Sequence, residues 1–450
     1  MQYVRLGRSG LKVSRIALGC MSYGDPSRGF NTWSLDEEAT QPFFRQAVEL
    51  GIDFWDTANV YQFGSSEEFV GRAVKRYTRR ENVVLATKVY GKMYDGPGGQ
   101  GLSRRVIMEL IDGSLTRLGT DFVDVYLLHR FDAETPVAET MEALHDVVKA
   151  RKARYIGASS MFAWQFAKLQ HAAELHGWAT LVEIQDQYNL LKREEEREML
   201  PMCADMGVGC VPYSPLAKGR LTRPWGEHTH RSDNDAVAGT FDLDIDRPVV
   251  EAVQRVAQAR GVPMAQVALA WLLTKPVVTA PIVGATKPHH LTDAVAALYL
   301  HLTTDEIRAL ETPLHAAAAL LVLALPAALS LSRVRAGPAS ERCPAGDDNQ
   351  HTDASRPGVL WFGGKGECGE GRPEDLQAPG TVWKGFLSSE PLIGSVRRFW
   401  YSKTHRIILG KALMHHLRKR INAQRLGSST CKAGALPTEL RPHIVIRRYI

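Results

Sequence analysis

Short apolar segments alternate with amphipathic stretches through most of the chain, and this alternation constrains the possible folds more than any other feature. Eight apolar segments have the length of buried strands: Arg15–Gly19, Asp53–Asp56, Val83–Lys88, Val123–His129, Arg154–Ser159, Val182–Gln185, Gly209–Pro212 and Val278–Val283. Helical patterns separate or follow them: Glu37–Leu50, Glu67–Arg76, Arg104–Leu118, Val137–Lys149, Trp164–His176, Glu194–Met206, Val249–Arg260, Met264–Thr274 and Pro288–Leu298. Strands that alternate with helices form a parallel sheet covered by helices, so the pattern predicts an α/β fold.

Two α/β architectures fit this order of elements, a closed barrel and a doubly wound open sheet. An open sheet that binds a dinucleotide would need a turn of the form GxGxxG after an early strand, whereas Cys20–Gly24 read CMSYG. The glycine-rich run Gly96–Gly101 also has the wrong spacing and is typical of a flexible loop. Closing the sheet removes both of its exposed edges. We therefore predict a (β/α)8 TIM barrel, preceded by a β-hairpin between Val4 and Val13.

The composition changes abruptly at Leu314, which predicts a barrel over residues 1–313 and a tail over residues 314–450. The net charge of +6 comes from the tail, because the barrel region has a slight acidic excess. An apolar run in the tail, Ala316–Leu331, contains Pro326 and is shorter than the roughly 20 residues of a membrane-spanning helix. We expect the tail, whose structure is uncertain, to be disordered or to result from a reading-frame change near Pro313. Membrane anchoring and nucleic-acid binding by its basic end are the alternatives, and neither partner is expected.

The chain has six cysteines, and none of them forms a CxxC pair or a spacing typical of a zinc site. We therefore predict no metal site. Scattered thiols in a long chain are typical of a reducing compartment. Residues Met1–Arg5 lack the apolar segment of a signal peptide, so we expect a cytoplasmic protein.

Ionisable side chains stand at the ends of three consecutive predicted strands, where this fold places catalytic groups. Asp56 ends the second strand, Lys88 the third and His129 the fourth, and Tyr61 lies in the loop after Asp56. Each of these side chains alone could have a purely structural role. Their occurrence together at neighbouring strand ends favours a common active site.

This combination of side chains suits the reduction of a carbonyl group. Hydride transfer to carbon leaves an alkoxide, and the hydroxyl group of Tyr61 can donate the proton that it needs. The ammonium group of Lys88 favours tyrosinate and should lower the tyrosine pKa by roughly 1–3 units. Asp56 supplies the anion that a buried lysine requires. His129 can donate a hydrogen bond to the substrate oxygen.

Several ordered segments resemble the aldo-keto reductases. The main signature is GIDFWDTANVY at Gly51–Tyr61, and the other matching segments are Ser65–Glu68, Gly71–Ala73, Ala86–Lys88, Asp124–Asp132 and Tyr155–Ser160. The resemblance covers residues 1 to about 313 and is closest to the bacterial branch related to potassium-channel β subunits. It implies NADP(H) bound in an extended form across the barrel mouth, without a Rossmann unit.

The resemblance assigns cofactor-binding roles to residues after several strands. Near the nicotinamide and its ribose it implies Met21, Asp56, Ser159, Gln185 and Tyr213, together with Ser160, which replaces the usual Asn. At the phosphates and adenosine it implies Ser214, Pro215, Leu216, Lys218, Arg220, Gly284, Thr286, Lys287, His290 and Asp293, and Arg231 could supply a further positive charge. Phosphate sites in this fold generally follow strands seven and eight, which agrees with this assignment.

The sequence therefore predicts an NADPH-dependent reductase of aldehydes, ketones or sugar-derived carbonyls, with Tyr61 as general acid. Trp33 and Tyr90 are candidate substrate contacts, and an oligomer is possible. The alternative is an NADP(H)-binding, redox-sensing regulatory subunit with little turnover. The channel-associated relatives carry Asn at the position of His129, which favours catalysis.

Overall fold

A computed structural model of the protein describes residues 1–29, 31–229 and 244–313. The predictions for Arg231 and for the tail, residues 314–450, lie outside these described residues. No helix within the described ranges is long and apolar enough to cross a lipid bilayer.

Residues near the N-terminus form the predicted β-hairpin, with antiparallel strands β1 (Tyr3–Arg5) and β2 (Lys12–Ser14). Leu6 in the connecting turn is fully buried and belongs to the same apolar cluster as side chains of the barrel interior. The backbone N–H of Ser14 donates to Asp53 Oδ1 at 2.7 Å, just before a barrel strand begins. The hairpin therefore covers the end of the barrel at which the parallel strands start.

The barrel consists of eight parallel strands. They are β3 (Ala17–Gly19), β4 (Phe54–Asp56), β5 (Val84–Val89), β6 (Val123–Leu128), β7 (Ala153–Ser159), β8 (Leu181–Gln185), β9 (Gly209–Cys210) and β10 (Ile282–Val283). From β3 to β9 each strand pairs with the next, and β10 pairs with β3. A bridge from Cys210 to Val278 and a 2.7 Å hydrogen bond from Thr279 N to Cys210 O join β9 to the segment that leads into β10. The sheet therefore closes, and the predicted (β/α)8 barrel is confirmed.

The barrel strands are buried on both faces, which explains why they are continuous apolar runs in the sequence. One set of side chains, which includes Ala17 and Ala86, fills the interior next to the hairpin. The other set, which includes Leu18 and Leu85, packs against the helices. Successive side chains of a strand point to opposite faces. Lys88, two residues after Ala86, therefore points into the mouth of the barrel.

Helices surround the sheet, and their ends follow local sequence signals. They are α1 (Glu37–Glu49), α2 (Ser65–Tyr77), α3 (Arg104–Leu118), α4 (Val137–Lys149), α5 (Ala163–His176), α6 (Met199–Met206), α7 (Arg247–Arg260), α8 (Met264–Leu273) and α9 (His289–Ala296), and residues 304–313 are also helical. Asp36 caps α1 by accepting a hydrogen bond from Ala39 N at 2.9 Å. Gly119 ends α3 in the left-handed conformation that glycine adopts without strain.

One predicted helix, Glu194–Met206, is shorter in the structure than the sequence indicates. Glu194–Glu196 form a 3-10 turn, and α6 begins only at Met199. Pro201 is the third residue of α6 and favours this late start, because proline lacks an N–H group and is best tolerated in the first turn of a helix. The other predicted helices that the structure describes agree with the observed ones to within about two residues at each end.

Candidate active site

Three neighbouring barrel strands bring the candidate catalytic side chains to one point at the mouth. Asp56 ends β4, Lys88 lies near the end of β5, and His129 directly follows β6. Lys88 Nζ lies 2.6 Å from Asp56 Oδ2 and 3.4 Å from Tyr61 Oη. The rings of Tyr61 and His129 meet edge to face, with their centroids 5.7 Å apart. The structure therefore brings all four predicted side chains together.

All three N–H donors of Lys88 have acceptors, and this arrangement orients Tyr61. Lys88 donates to the carboxylate of Asp56, to the carbonyl oxygen of Thr57 at 2.8 Å and to the hydroxyl oxygen of Tyr61. Because that oxygen accepts from Lys88, the tyrosine proton is left for another acceptor. Asp56 and Lys88 are only 3% and 2% exposed, whereas Tyr61 and His129 keep part of their surface exposed. A molecule at the mouth can therefore reach the tyrosine and the histidine but not the ion pair.

The ion pair keeps Lys88 protonated in a buried place. Burial lowers the pKa of Lys88, but the carboxylate of Asp56, with a smaller effect from Tyr61, more than offsets this, so the net pKa is raised. For Tyr61, removal of water from around the phenol raises the pKa, and Lys88 only partly opposes this effect. The expected direction of the effect of Lys88 is correct. The expected net lowering of the Tyr61 pKa is wrong, because the sequence does not show how strongly the phenol is desolvated.

His129 is a neutral imidazole near pH 7. Burial lowers its pKa well below the usual 6.5, and the positive charges of Lys88 and Arg130 lower it further. A neutral imidazole carries one N–H donor and one acceptor nitrogen. His129 can therefore donate a hydrogen bond to an oxygen atom at the mouth without bringing a further charge there.

The turn after Tyr61 holds a polar residue that sequence analysis does not identify. Gln62 and Phe63 both adopt left-handed backbone conformations, with φ of 47° and 48°. Such conformations are unfavourable for non-glycine residues and persist only where surrounding contacts hold them. The buried Gln62 Nε2 provides such contacts by donating to the carbonyl oxygens of Asp25 at 3.1 Å and Asn31 at 3.2 Å. These partners lie 37 and 31 residues away in the sequence, so no local pattern reveals them.

Asp132, in the loop after β6, is a second site-forming residue to which the sequence assigns no role. Its Oδ2 accepts hydrogen bonds from Leu102 N at 2.9 Å and from Thr135 Oγ1 at 2.8 Å. Burial raises the pKa of Asp132, but these and neighbouring hydrogen bonds outweigh burial and lower the net pKa. Because Leu102 ends the loop that follows β5, Asp132 ties together the loops on two sides of the candidate site.

The residues predicted to bind a nicotinamide carboxamide lie together at the ends of β7 and β8. The hydroxyl groups of Ser159 and Ser160 are 3.1 Å apart, and Ser160 Oγ donates to Tyr213 Oη at 3.4 Å. Gln185 Nε2 donates to Asp56 Oδ1 at 2.9 Å, which leaves its carbonyl oxygen as an acceptor. A primary carboxamide needs acceptors for its N–H groups and donors for its oxygen, and this set offers both. The residues present therefore fit a nicotinamide group.

The predicted phosphate-binding loop follows β9 at the same end of the barrel. It contains Ser214, Pro215, Leu216, Lys218 and Arg220. Ser214, Ala217 and Lys218 have φ of 49°, 47° and 53°, and turns with left-handed residues form concave sets of N–H groups that suit anions. Arg220 is only 3% exposed and donates to Pro224 O at 2.7 Å. Its guanidinium group therefore stabilises the loop itself by this hydrogen bond.

The remaining predicted cofactor residues follow β3 and β10, which are neighbours in the sheet. They are Met21 after β3, and Gly284, Thr286, Lys287, His290 and Asp293 after β10. Thr286 N donates to His290 Nδ1 at 3.2 Å, and Asp293 Oδ1 accepts from Gln266 Nε2 at 3.1 Å. Lys287 is exposed. Of these side chains, Lys287 is thus the cation most open to a phosphate group.

Aromatic side chains lie in the loops that follow β3, β5 and β6, at the end of the barrel that carries the candidate site. The predicted substrate contacts Trp33 and Tyr90 are both partly exposed, and Tyr90 directly follows β5. Phe131, two residues after His129, meets Trp164 edge to face at 5.9 Å between ring centroids, and Trp164 is 59% exposed. This second pair is absent from the sequence-based set, because nothing in the sequence places α5 beside the loop after β6.

The described residues hold no metal-binding cluster, since no three His, Cys, Asp or Glu side chains among them are arranged to bind an ion. Cys20, Cys203 and Cys210 are buried, free thiols.

Comparison with known proteins identifies relatives of the barrel region. The model of the aldo/keto reductase family matches residues 15–313. Versiconal hemiacetal acetate reductase from Aspergillus parasiticus is 44% identical over 336 residues, which cover 70% of this chain and 97% of that protein. An aldo-keto reductase from Fusarium vanettenii is 41% identical over 339 residues, covering 69% of this chain and 90% of its own. A Schizosaccharomyces pombe protein that carries the name of an aryl-alcohol dehydrogenase is 41% identical over 337 residues, covering 69% and 95%.

Proposed function

The chain belongs to the aldo/keto reductase family, and we propose that it is an NADPH-dependent reductase of aldehydes, ketones or sugar-derived carbonyls. The observation that carries this proposal is the contact of Lys88 Nζ with both Asp56 and Tyr61 at the barrel mouth. This arrangement offers a proton donor beside a position that a carbonyl oxygen can reach. The neutral His129 edge to face with Tyr61 offers a second donor to the same oxygen.

The proposed mechanism assigns one step to each of these groups. A bound nicotinamide supplies the hydride. Tyr61 donates its hydroxyl proton to the oxygen that becomes negative as the carbonyl carbon is reduced. Lys88 stabilises the tyrosinate that remains, and Asp56 holds the ammonium group in place. His129 orients the substrate oxygen by a hydrogen bond.

We assign the cofactor to the residues that line the mouth after β3, β7, β8, β9 and β10. Gln185 and Ser159 would bind the carboxamide, Ser160 would support it, and Tyr213 would stack on the ring. The loop that begins at Ser214 would hold the pyrophosphate. Lys287 would meet the phosphate that distinguishes NADP(H) from NAD(H), with Arg231 as a second candidate outside the described residues.

The substrate class is suggested by the aromatic side chains and by the relatives. One relative is named as an aryl-alcohol dehydrogenase and another as a reductase of versiconal hemiacetal acetate. The exposed Trp164 beside Phe131 can stack on an aromatic ring. We therefore place aromatic aldehydes and ketones first among the candidates. The predicted closeness to the bacterial, channel-related branch stays a prediction, since the relatives named above are fungal.

The test is NADPH oxidation by the purified full chain with a panel of aromatic, aliphatic and sugar-derived carbonyls. Replacing Tyr61 by Phe should lower turnover by roughly 10²–10⁴ while NADPH binding persists, because only the proton donor is lost. Turnover close to that of the wild type, with NADPH still bound, would reject Tyr61 as the acid. A regulatory subunit would instead bind NADPH and oxidise it barely at all with every carbonyl.

A further inference from the structure

Glu183 of β8 is a carboxyl group inside the barrel that the proposed proton transfer does not involve. It is fully buried, at 0% exposure. Glu183 lies two residues before Gln185, on the same face of the strand. Its register partner on β7 is Gly157, where a Cβ would lie only 2.6 Å from Glu183 Cγ. The lack of a side chain at Gly157 therefore makes room for this carboxyl group below the mouth.

A continuous chain of polar contacts connects Glu183 with the candidate acid. Glu183 Oε1 accepts a hydrogen bond from Gln185 Nε2 at 3.3 Å, and the same nitrogen donates to Asp56 Oδ1 at 2.9 Å. Asp56 binds Lys88, and Lys88 donates to Tyr61 Oη at 3.4 Å. A change of charge at Glu183 thus acts on Asp56 and Lys88, and Lys88 is in direct contact with the phenol.

The surroundings of Glu183 favour its neutral form. Its Oε2 has no hydrogen-bond partner among the described residues, and an ionised oxygen without a partner is very unfavourable in an apolar interior. The charged groups that face it are Asp56 from β4 and Lys88 from β5, and the thiol of Cys210 on β9 is also close enough to interact. Burial raises the pKa of Glu183 to about 8, and the Asp56 carboxylate adds to this effect.

We propose that Glu183 is a positioning residue of the reductase, which in its neutral form fixes the amide of Gln185 and which slows proton donation by Tyr61 when it ionises. This inference rests on the reductase function proposed above. Glu183 positions Gln185 directly, and the carbonyl oxygen of Gln185 in turn positions the carboxamide of the nicotinamide.

The geometry at Gln185 explains the first part of this role. The two N–H groups of its amide have two acceptors, Asp56 and Glu183, on the same side. A flipped amide would set its oxygen against the carboxylate of Asp56, which can only accept, and would leave Glu183 Oε1 without its donor, so the amide has one stable orientation. That orientation leaves the carbonyl oxygen as the acceptor for a ligand N–H group.

Ionisation of Glu183 explains the second part. A negative charge below the mouth favours the protonated forms of Lys88 and Tyr61. Proton donation by Tyr61 then becomes less favourable. A rise of one unit in the pKa of Tyr61 can slow proton donation by at most about tenfold. We therefore expect turnover to fall by about threefold to tenfold as Glu183 ionises.

The first experiment measures thermal unfolding of the full chain, without cofactor, between pH 6 and pH 9. Up to about pH 8 the folded wild type keeps the proton on Glu183 while the unfolded chain has lost it, so the stability of the wild type falls as the pH rises towards 8. The variant Glu183→Gln has no such proton, so its Tm should rise relative to that of the wild type from pH 6 to about pH 8 and keep a constant difference above that. If the Tm difference between Glu183→Gln and the wild type is the same at every pH, Glu183 is not neutral in the folded protein and the proposal fails.

The second experiment compares the pH profile of kcat for the wild type, Glu183→Gln and Glu195→Gln. Glu195 is a matched control, because burial raises its pKa to about 7 while it lies outside the chain of contacts from Glu183 to Tyr61. The wild type and Glu195→Gln should lose turnover near pH 8, and Glu183→Gln should not. An unchanged inflection in Glu183→Gln would reject the positioning role, whereas a wild type without carbonyl turnover would reject the reductase function itself.

If the Glu183→Gln variant does not fold, the pKa of the native Glu183 side chain can be measured directly. In the Glu195→Gln variant labelled with carbon-13 at glutamate carboxyls, one carboxyl resonance should titrate near pH 8. If no glutamate resonance of that protein titrates above about pH 6.5, Glu183 is ionised at neutral pH and the proposal fails.

Discussion

At the scale of single residues, the ammonium group of Lys88 keeps its charge because oxygen atoms surround it. Among the described residues, Asp56 is the one ionised group hydrogen-bonded to it, and Lys88 also donates to Thr57 O and Tyr61 Oη. Both members of the ion pair are buried. The loss of one partner from a buried pair leaves an uncompensated charge, which costs far more than the pair contributes.

We therefore predict that Lys88→Met lowers the free energy of unfolding by about 3–5 kcal/mol and also lowers turnover. The double variant Asp56→Asn/Lys88→Met should recover a large part of the stability, because it removes the unpaired carboxylate as well. It should recover none of the activity, because Tyr61 still lacks its neighbouring cation. Urea unfolding and kcat for the three proteins measure both quantities. A double variant less stable than Lys88→Met would contradict the assignment of the loss to the carboxylate of Asp56.

The residues that could be predicted from the sequence are those whose position on a strand determines where they point. Asp56, Lys88 and His129 end neighbouring strands, so their convergence follows from the order of the elements. Gln62 and Glu183 act through partners that are distant in the sequence, or through a position inside the barrel that only the closed sheet defines. The pKa of Tyr61 depends on desolvation, which likewise requires the assembled mouth.

At the scale of elements, the helices after β4 and β5 pack unusually closely. Glu67 of α2 is fully buried and accepts hydrogen bonds from Thr87 Oγ1 at 2.5 Å and from Arg117 Nε at 2.7 Å. These contacts join α2 to both β5 and α3. A Cβ at Gly71 of α2 would lie 2.3 Å from the carbonyl oxygen of Leu118 in α3. The backbone of one helix thus occupies the space of a side chain on the other.

We predict that Gly71→Ala destabilises the protein by about 1–3 kcal/mol, because neither helix can move without disturbing the buried contacts of Glu67. Gly113→Ala in α3 is the matched control. The atom nearest to a Cβ at Gly113 is Nη1 of Arg117, 3.1 Å away, and Arg117 is held by Glu67 through its Nε. A shift of a few tenths of an ångström at the end of this side chain suffices, and the higher helix propensity of alanine contributes about 0.5–1 kcal/mol, so this variant should lose far less stability than Gly71→Ala. Urea denaturation measures both. Equal effects of the two substitutions would show that α2 can shift away from α3.

The boundaries of the elements could be predicted where a local signal sets them, and less well where pairing does. The helix ends at Asp36 and Gly119 carry recognisable caps. The last strand extends over Ile282–Val283 only, although the apolar run from Val278 predicts a longer one. Regular pairing needs backbone N–H groups, and Pro281 has none. The ladder therefore reduces to a single bridge at Val278, with separate hydrogen bonds beyond it.

At the scale of the whole molecule, several buried carboxyl groups make stability depend on pH. Burial raises the pKa of Glu183 and of Asp186 to about 8, and of Glu195 to about 7. In the unfolded chain these groups ionise at their usual values of 4.5 for Glu and 3.8 for Asp. The folded protein therefore binds more protons than the unfolded chain between these limits, and its stability falls as the pH rises through them.

We predict that the Tm of the full chain decreases from pH 6.5 to pH 8. Below about pH 6.5 the depressed pKa of His129 acts in the opposite direction, because the unfolded chain takes up the proton there. The decrease should therefore be clearest above that value. Asp186→Asn should show a smaller decrease than the wild type when both are followed by calorimetry in buffers of matched ionic strength. A Tm that rises over this interval would show that these carboxyl groups are ionised in the folded protein.

The extent of the catalytic unit is also a property of the whole chain. The family match ends at residue 313, and the helix at residues 304–313 still belongs to the barrel. Leu310 is fully buried, and Glu311 Oε1 accepts hydrogen bonds from Trp271 Nε1 at 2.8 Å and from Lys275 Nζ at 2.6 Å. These contacts join the last helix to α8.

We predict that a chain ending at residue 313 keeps the NADPH binding and carbonyl turnover of the full chain, because every residue assigned to the site is retained, together with the contacts of Glu311 with Trp271 and Lys275. A chain ending at residue 303 is the matched control. It exposes the apolar surface that Leu310 covers and leaves Lys275 without its carboxylate, so it should unfold at a clearly lower temperature. Thermal unfolding and kcat for the three chains distinguish the outcomes. Loss of turnover in the longer truncated chain, at unchanged Tm, would place part of the active unit beyond residue 313.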